Sequence, residues 1–118
     1  MKIILIGNPK SVNSLYGFTG NRKYMSPEGR AIKEDYQWQA KSQYKGKPFT
    51  ENLIVGVGLF FKDERRRDID NYHKIILDSL TGIVWKDDSQ IVELNSKKSI
   101  DKKNPRIELL LQPEIARS

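Results

Sequence analysis

The chain has no cysteine and only one histidine, His73. The first absence excludes disulfide staples, thiol nucleophiles and cysteine-built zinc sites. The second excludes a multi-histidine metal centre, so a bound metal must rest on carboxylates and water, which favours magnesium, with manganese as a substitute. Long hydrophobic runs are missing as well. The apolar stretch at residues 3–6 is too short for a signal-peptide core or a membrane span, so a cytoplasmic protein with no membrane partner is expected. There is no internal repeat and no low-complexity tract.

Charge is abundant. Lys and Arg number 21 against 15 Asp and Glu, a formal net charge of +6 over 118 residues. That excess favours an anionic partner, either nucleic acid or an acidic membrane surface, and charge alone does not choose between them. With 37% hydrophobic residues, the length suits one hydrophobic core, and a single domain over residues 1–118 is expected.

Residues 2–6 read as a buried strand closed by Gly7, Asn8 and Pro9. Residues 10–25, rich in Ser, Asn, Gly and basic side chains, read as a long functional loop. Ser26 before Pro27 is a helix start, and Ile32, Tyr36, Ala40 and Tyr44 recur every four residues as the buried stripe of a helix reaching about Tyr44. Residues 53–61 alternate as a strand, with Gly56 and Gly58 on one face leaving room for a closely packed helix. A second helix is expected from about Asp70, capped by that residue, to a stop at Gly82. The remainder reads as a hairpin of strands, about 90–98 and 106–111, joined by a polar turn. The expected fold is α+β, in the order β-α-β-α-β-β, with one mixed or antiparallel sheet and two helices packed on it.

Asp68 and Asp70 stand two apart after a strand, a spacing that in extended backbone sends both carboxylates to one side, where they could share a metal. Asp87 and Asp88 follow the second helix, and if the chain folds back to the helix start, one of them supplies a third oxygen ligand to a hard cation. Lys74 and Asp78 continue a stripe from Asp70 at four-residue intervals. Lys74 there could orient a water or neutralise a scissile phosphate; the plainer reading is an exposed ion-pair ladder. Arg65, Arg66 and Arg67 immediately before the aspartates can hold a phosphate backbone beside carboxylates that would otherwise repel it.

These residues together resemble the RusA family of Holliday junction resolvases. The resemblance runs through Gly7, Pro9, Ser11 and Asn13, then Arg22, Tyr24, Ser26, Glu28, Gly29 and Ala31. It continues through residues 65–71, Lys74 and Asp78, and through Trp85, Asp87, Asp88 and Gln90, a W-x-D-D-x-Q signature. It implies a dimeric, magnesium-dependent endonuclease cutting paired strands of a four-way junction. Its essential carboxylates would match Asp68, Asp70 and Asp88, and its essential lysine Lys74. Asp87 is a further metal candidate, as a ligand or as a neighbour steadying one. In the N-terminal loop, Lys10 and Val12 depart from the family's proline- and asparagine-rich pattern.

The basic residues Lys10, Arg22, Lys23 and Arg30 are DNA-binding candidates with the three arginines, since they lie in or beside the long loop. Lys97, Lys98, Lys102, Lys103 and Arg106 could extend a phosphate surface or simply protect a strand edge. Trp38 and Trp85 are expected in the core or an interface. His73 is expected on a helix face without a catalytic role. One of Phe60 and Phe61 should face the core, leaving the other for a dimer contact or a junction wedge. A non-catalytic branched-DNA-binding protein and a flap or nonspecific DNA endonuclease are the competing readings.

Overall fold

The computed structural model describes residues 1–11, 16–19 and 22–114, with the backbone alone for 16–19, 22 and 23. Strand β1 (Lys2–Ile6) buries Ile3 and Leu5 on one face, as its alternation requires. In place of an unstructured loop comes a hairpin of β2 (Tyr16–Thr19) and β3 (Arg22–Met25), antiparallel with Gly17 opposite Tyr24. Tyr16, Phe18 and Tyr24 favour extended backbone, a signal masked in the sequence by the surrounding Ser, Asn and Gly. Helix α1 (Pro27–Gln43) starts where expected: the Ser26 hydroxyl accepts a hydrogen bond from the Gly29 N–H at 3.0 Å. Tyr36 and Ala40 are buried in its stripe, and Ile32 and Tyr44 pack partly against the core.

Strand β4 (Leu53–Phe61) buries Leu53, Val55, Val57, Leu59 and Phe61. A 3-10 turn, Ile69–Tyr72, then leads into helix α2 (His73–Leu80). Asp70 lies inside that turn and does not cap a helix; the cap positions are Asp68 and Tyr72, and neither makes a side-chain cap bond. Gly82, at φ +91°, breaks the chain out of α2 in a left-handed conformation that a side chain would strain.

The expected hairpin of the last two strands does not form. β5 (Ile91–Ile100) and β6 (Arg106–Pro113) flank β4 on opposite sides, in the order β1-β6-β4-β5, with β5 parallel to β4 and β6 antiparallel to both β4 and β1. The most apolar strand thus gains two partners, and the β4-α2-β5 crossover lays α2 over its buried side. The sheet is mixed, and the α+β class holds with the hairpin added to the expected order.

Both helices cover one face of the sheet, where Ile75, Ile76, Leu80, Val84 and Trp85 meet the inward residues of β1, β4 and β6. No described element covers the other face. Gly56 and Gly58 lie on that side, so they do not receive a helix; a Cβ on Gly58 would stand 3.0 Å from the Phe60 ring, which leans over it. Ile6 and Leu110 are 72% and 58% exposed on the same face.

The outer edge of β1 is sealed by α1. Gln43 accepts from the Ile4 N–H at 2.8 Å and donates to its carbonyl at 2.6 Å, and Gln39 does the same for Ile6 at 2.7 and 3.3 Å. Two amide side chains thereby occupy backbone groups that would otherwise recruit another strand.

Candidate carboxylate site and nucleic-acid interface

Beyond β4 the chain is organised by Asp63. Its carboxylate accepts from the Arg65 N–H at 3.1 Å and pairs with the Arg67 guanidinium at 2.7 Å. These contacts, the Arg65 N–H foremost, hold the Asp63 carboxyl below the usual range. Arg67 also lies 4.3 Å over the Phe61 ring and donates to the carbonyls of Asp63 and Arg65. The three arginines therefore differ: Arg65 and Arg66 are exposed, whereas the Arg67 side chain is largely buried. Asp68 and Asp70 are exposed on the 3-10 turn. Asp68 lines an open cleft of about 360 Å³ with Ser11, Arg66, Arg67, Asn71 and Tyr72. Cations and a carboxylate share one wall there, as a phosphate held beside a metal ligand requires.

His73 opens α2 and is half-buried, its Nε2 against the Ser96 hydroxyl of β5. Burial pulls its pKa down, and the charge of Asp70 opposes that pull. Lys74 pairs with Asp78 at 3.3 Å, the ladder expected from the spacing.

The W-x-D-D-x-Q segment is mostly anchor. Trp85 is fully buried and donates its indole N–H to Thr81 at 2.9 Å, while the neighbouring backbone joins Phe49 through Val84 and Lys86. Asp87 caps a second 3-10 turn, Asp88–Gln90, accepting from the Ser89 N–H at 3.0 Å. The Gln90 amide accepts from the Asp87 N–H at 2.8 Å and donates to the carbonyls of Phe49 and Glu51. The Ser89 N–H is the main reason that the Asp87 carboxyl lies below its ordinary range. Asp88 is left exposed as the residue the scaffold presents.

The chain does not return from α2 to the start of that helix. Asp88 sits beside the first residues of β5, where Ile91 faces Leu53, whereas His73 meets Ser96, which faces Val57. Five strand residues separate those levels by about 15 Å. Among the described residues, no three His, Asp or Glu side chains gather closely enough to hold one ion. The oxygen donors suit magnesium in kind, but a single chain does not bring Asp68, Asp70 and Asp88 within the roughly 2.1 Å metal–oxygen distances that ion requires.

Of the other DNA-binding candidates, Lys10 and Arg30 are exposed, and the side chains of Arg22 and Lys23 lie outside the described residues. Burial pushes the pKa of Tyr36, buried on α1, up to about 12. Arg106 is held by Asp101 and Glu108 and lies 4.0 Å over the Phe60 ring, and Lys2 joins Glu108 at 2.7 Å. Trp38 is 72% exposed on α1 and not in the core. Sequence reasoning missed Asp63, Ser96 and Lys98 as organisers of the site. For Gln90 a signal existed, an aspartate three residues ahead of a glutamine.

The family model described as Endodeoxyribonuclease RusA matches residues 7–112. The chain is 30% identical over 104 residues to the Crossover junction endodeoxyribonuclease RusA of Escherichia coli strain K12, covering 87% of each chain. Its namesake from Enterobacteria phage 82 gives the same identity and coverage. The Aquifex aeolicus protein of that name is 31% identical over 88 residues, 73% of this chain and 65% of its own. With no helix among the described residues long and apolar enough to cross a membrane, an exposed D-x-D turn beside the exposed Arg65 and Arg66, and a family match over nearly the whole length, the chain belongs to the RusA endodeoxyribonuclease family.

Proposed function

We propose that this protein is a magnesium-dependent endonuclease that resolves four-way DNA junctions by paired, symmetric cuts and works as a homodimer in the cytoplasm. The observation that carries the reading is the cleft at Asp68. It sets an exposed carboxylate against Arg66, beside Asp70 and ahead of Lys74, in a chain whose relatives are named crossover junction endodeoxyribonucleases. Asp68, Asp70 and Asp88 are the proposed ligands of magnesium, for which manganese substitutes, and the ion would supply Lewis-acid activation of a phosphate oxygen or a water. Arg65 and Arg66 hold the backbone of the strand to be cut, with Lys10, Arg22, Lys23, Arg30 and Arg67 as the remaining contacts. Lys74 neutralises charge at the scissile phosphate.

Two features favour a dimer. Among the described residues nothing covers the second sheet face, where Ile6 and Leu110 are exposed. Asp88 also stands at the opposite level of the sheet from the Asp68 turn, so a second copy can complete the ligand set: Asp88 of the partner subunit beside Asp68 and Asp70 of the first.

The test is cleavage of synthetic four-way, flap and linear DNA with magnesium, with the products mapped. Symmetric nicks confined to the four-way junction are expected. Binding without cutting would select a non-catalytic branched-DNA-binding protein, and comparable cutting of flap or linear DNA a less selective endonuclease.

A further inference from the structure

The 3-10 turn that carries Asp68 and Asp70 is packed through Tyr72, buried edge-on against Phe61, and through Ile69 against the core, but its hydrogen bonding is sparse. Neither its own cap position, Asp68, nor that of α2, Tyr72, makes a side-chain cap bond, and the Asn71 N–H reaches the Asp68 carbonyl at a long 3.2 Å. Two side chains of β5 reach over to it. Ser96 and Lys98 stand in register with the buried residues Val57 and Leu59, so both belong to the helix-bearing side of the sheet. The Lys98 ammonium donates to the Arg67 carbonyl at 2.7 Å, and the Ser96 hydroxyl meets His73. Arg67 immediately precedes Asp68, and His73 immediately precedes Lys74.

We propose that β5 is a two-point clamp on the cutting site, with Lys98 on the Arg67 carbonyl and Ser96 on His73 fixing the ends of the five-residue segment that bears both carboxylates. Lys98, Ser96 and His73 are positioning residues and touch no reacting atom. The pattern is economical: residues two apart on a strand project to the same side, and residues 67 and 73 directly flank the segment 68–72. Catalytic oxygens need placement to within about 0.5 Å, which an uncapped turn does not guarantee by itself. The role of Lys98 also differs from that of a phosphate contact, since its ammonium is committed to a backbone carbonyl of its own chain.

The clamp rests on the reading of Asp68 and Asp70 as cutting residues, so its test begins with a measurement that needs neither metal nor activity. Hydrogen exchange of the intact protein, read by mass spectrometry, should show the backbone of residues 68–74 exchanging roughly 5-fold faster in Lys98→Met and in Ser96→Ala, with the rest of the sheet unchanged. Lys98→Arg, which keeps a donor, should restore protection. Cleavage by Lys98→Met should fall roughly 10-fold in kcat with junction affinity and its salt slope kept. Unchanged exchange in a Lys98→Met, Ser96→Ala double variant overturns the clamp, as does a flattened salt slope with normal protection, which would make Lys98 a phosphate contact. Faster exchange with full cleavage would overturn the positioning role of Lys98 and Ser96, whereas full cleavage by Asp70→Asn would overturn the reading on which the clamp rests.

Discussion

Asp87 and Asp88 are adjacent in sequence and opposite in duty. The Asp87 carboxylate accepts from the Ser89 backbone, and the Gln90 amide closes the cap from the other side. Asp88, one residue on, is exposed. Asp87→Ala should therefore lower Tm and reduce cleavage only through the loosened turn, whereas Asp88→Asn should leave Tm unchanged and abolish cleavage. Thermal melts with single-turnover assays separate the two, and equal loss of cleavage with unchanged melting would put both carboxylates on the metal. Tyr36 offers a pH readout at the same scale. Its pKa is raised from 10.0 to about 12 chiefly by burial. Because the folded value lies above the unfolded one, the contribution is fully present below pH 10.0 and is lost as pH rises through about 12. A tyrosinate absorbance titration should show one of the five tyrosines ionising last, together with unfolding. In Tyr36→Phe that step should vanish from the titration.

At the scale of elements, β1 and α1 form a closed unit because Gln39 and Gln43 supply what an adjacent strand would have supplied. Replacing both with alanine should cost about 1–2 kcal/mol and expose a bare strand edge. Denaturant melts and light scattering should show lower stability and concentration-dependent association; a stable double variant free of association would mean that water serves that edge equally well. The two glutamines also mark where legibility in sequence ended. The α1 stripe, the Ser26 cap and the alternation of β4 are local patterns, so periodicity and capping chemistry sufficed to find them. Strand order was not legible, because the pairing of β5 depends on what β4 lacks after β6 has joined it, a competition between segments far apart in the chain. The site divides in the same way. Asp68, Asp70 and Asp88 stand out by motif, whereas Lys98 looks in sequence like any solvated lysine on a strand edge. Its role appears only once parallel pairing brings β5 beside the turn.

For the whole molecule, the proposed function requires three carboxylates on one small domain to serve one cut. Asp68 and Asp70 lie on the turn braced by the middle of β5, and Asp88 lies at the start of that strand, about 15 Å away by strand rise. A four-way junction has two-fold symmetry, and in the isologous dimer proposed above each turn would be joined by the Asp88 of the partner subunit. Mixing two inactive variants tests that arrangement. Asp70→Asn and Asp88→Asn proteins should each bind junctions and each fail to cut. In a mixed dimer, one site combines both lesions, while the other takes its turn from the Asp88→Asn subunit and its Asp88 from the Asp70→Asn subunit, and so is intact. Equimolar co-refolded mixtures, with mixed dimers verified by native mass spectrometry, should regain nicking of one strand, with one intact site per mixed dimer and so about a quarter of the wild-type site number in the whole mixture, without regaining paired cuts. If each site is instead built within one subunit, both sites of every mixed dimer carry a lesion and no nicking returns. That outcome, with mixed dimers present, would require the Asp68–Asp70 turn and the Asp88 turn to approach each other within a single chain when DNA and metal bind.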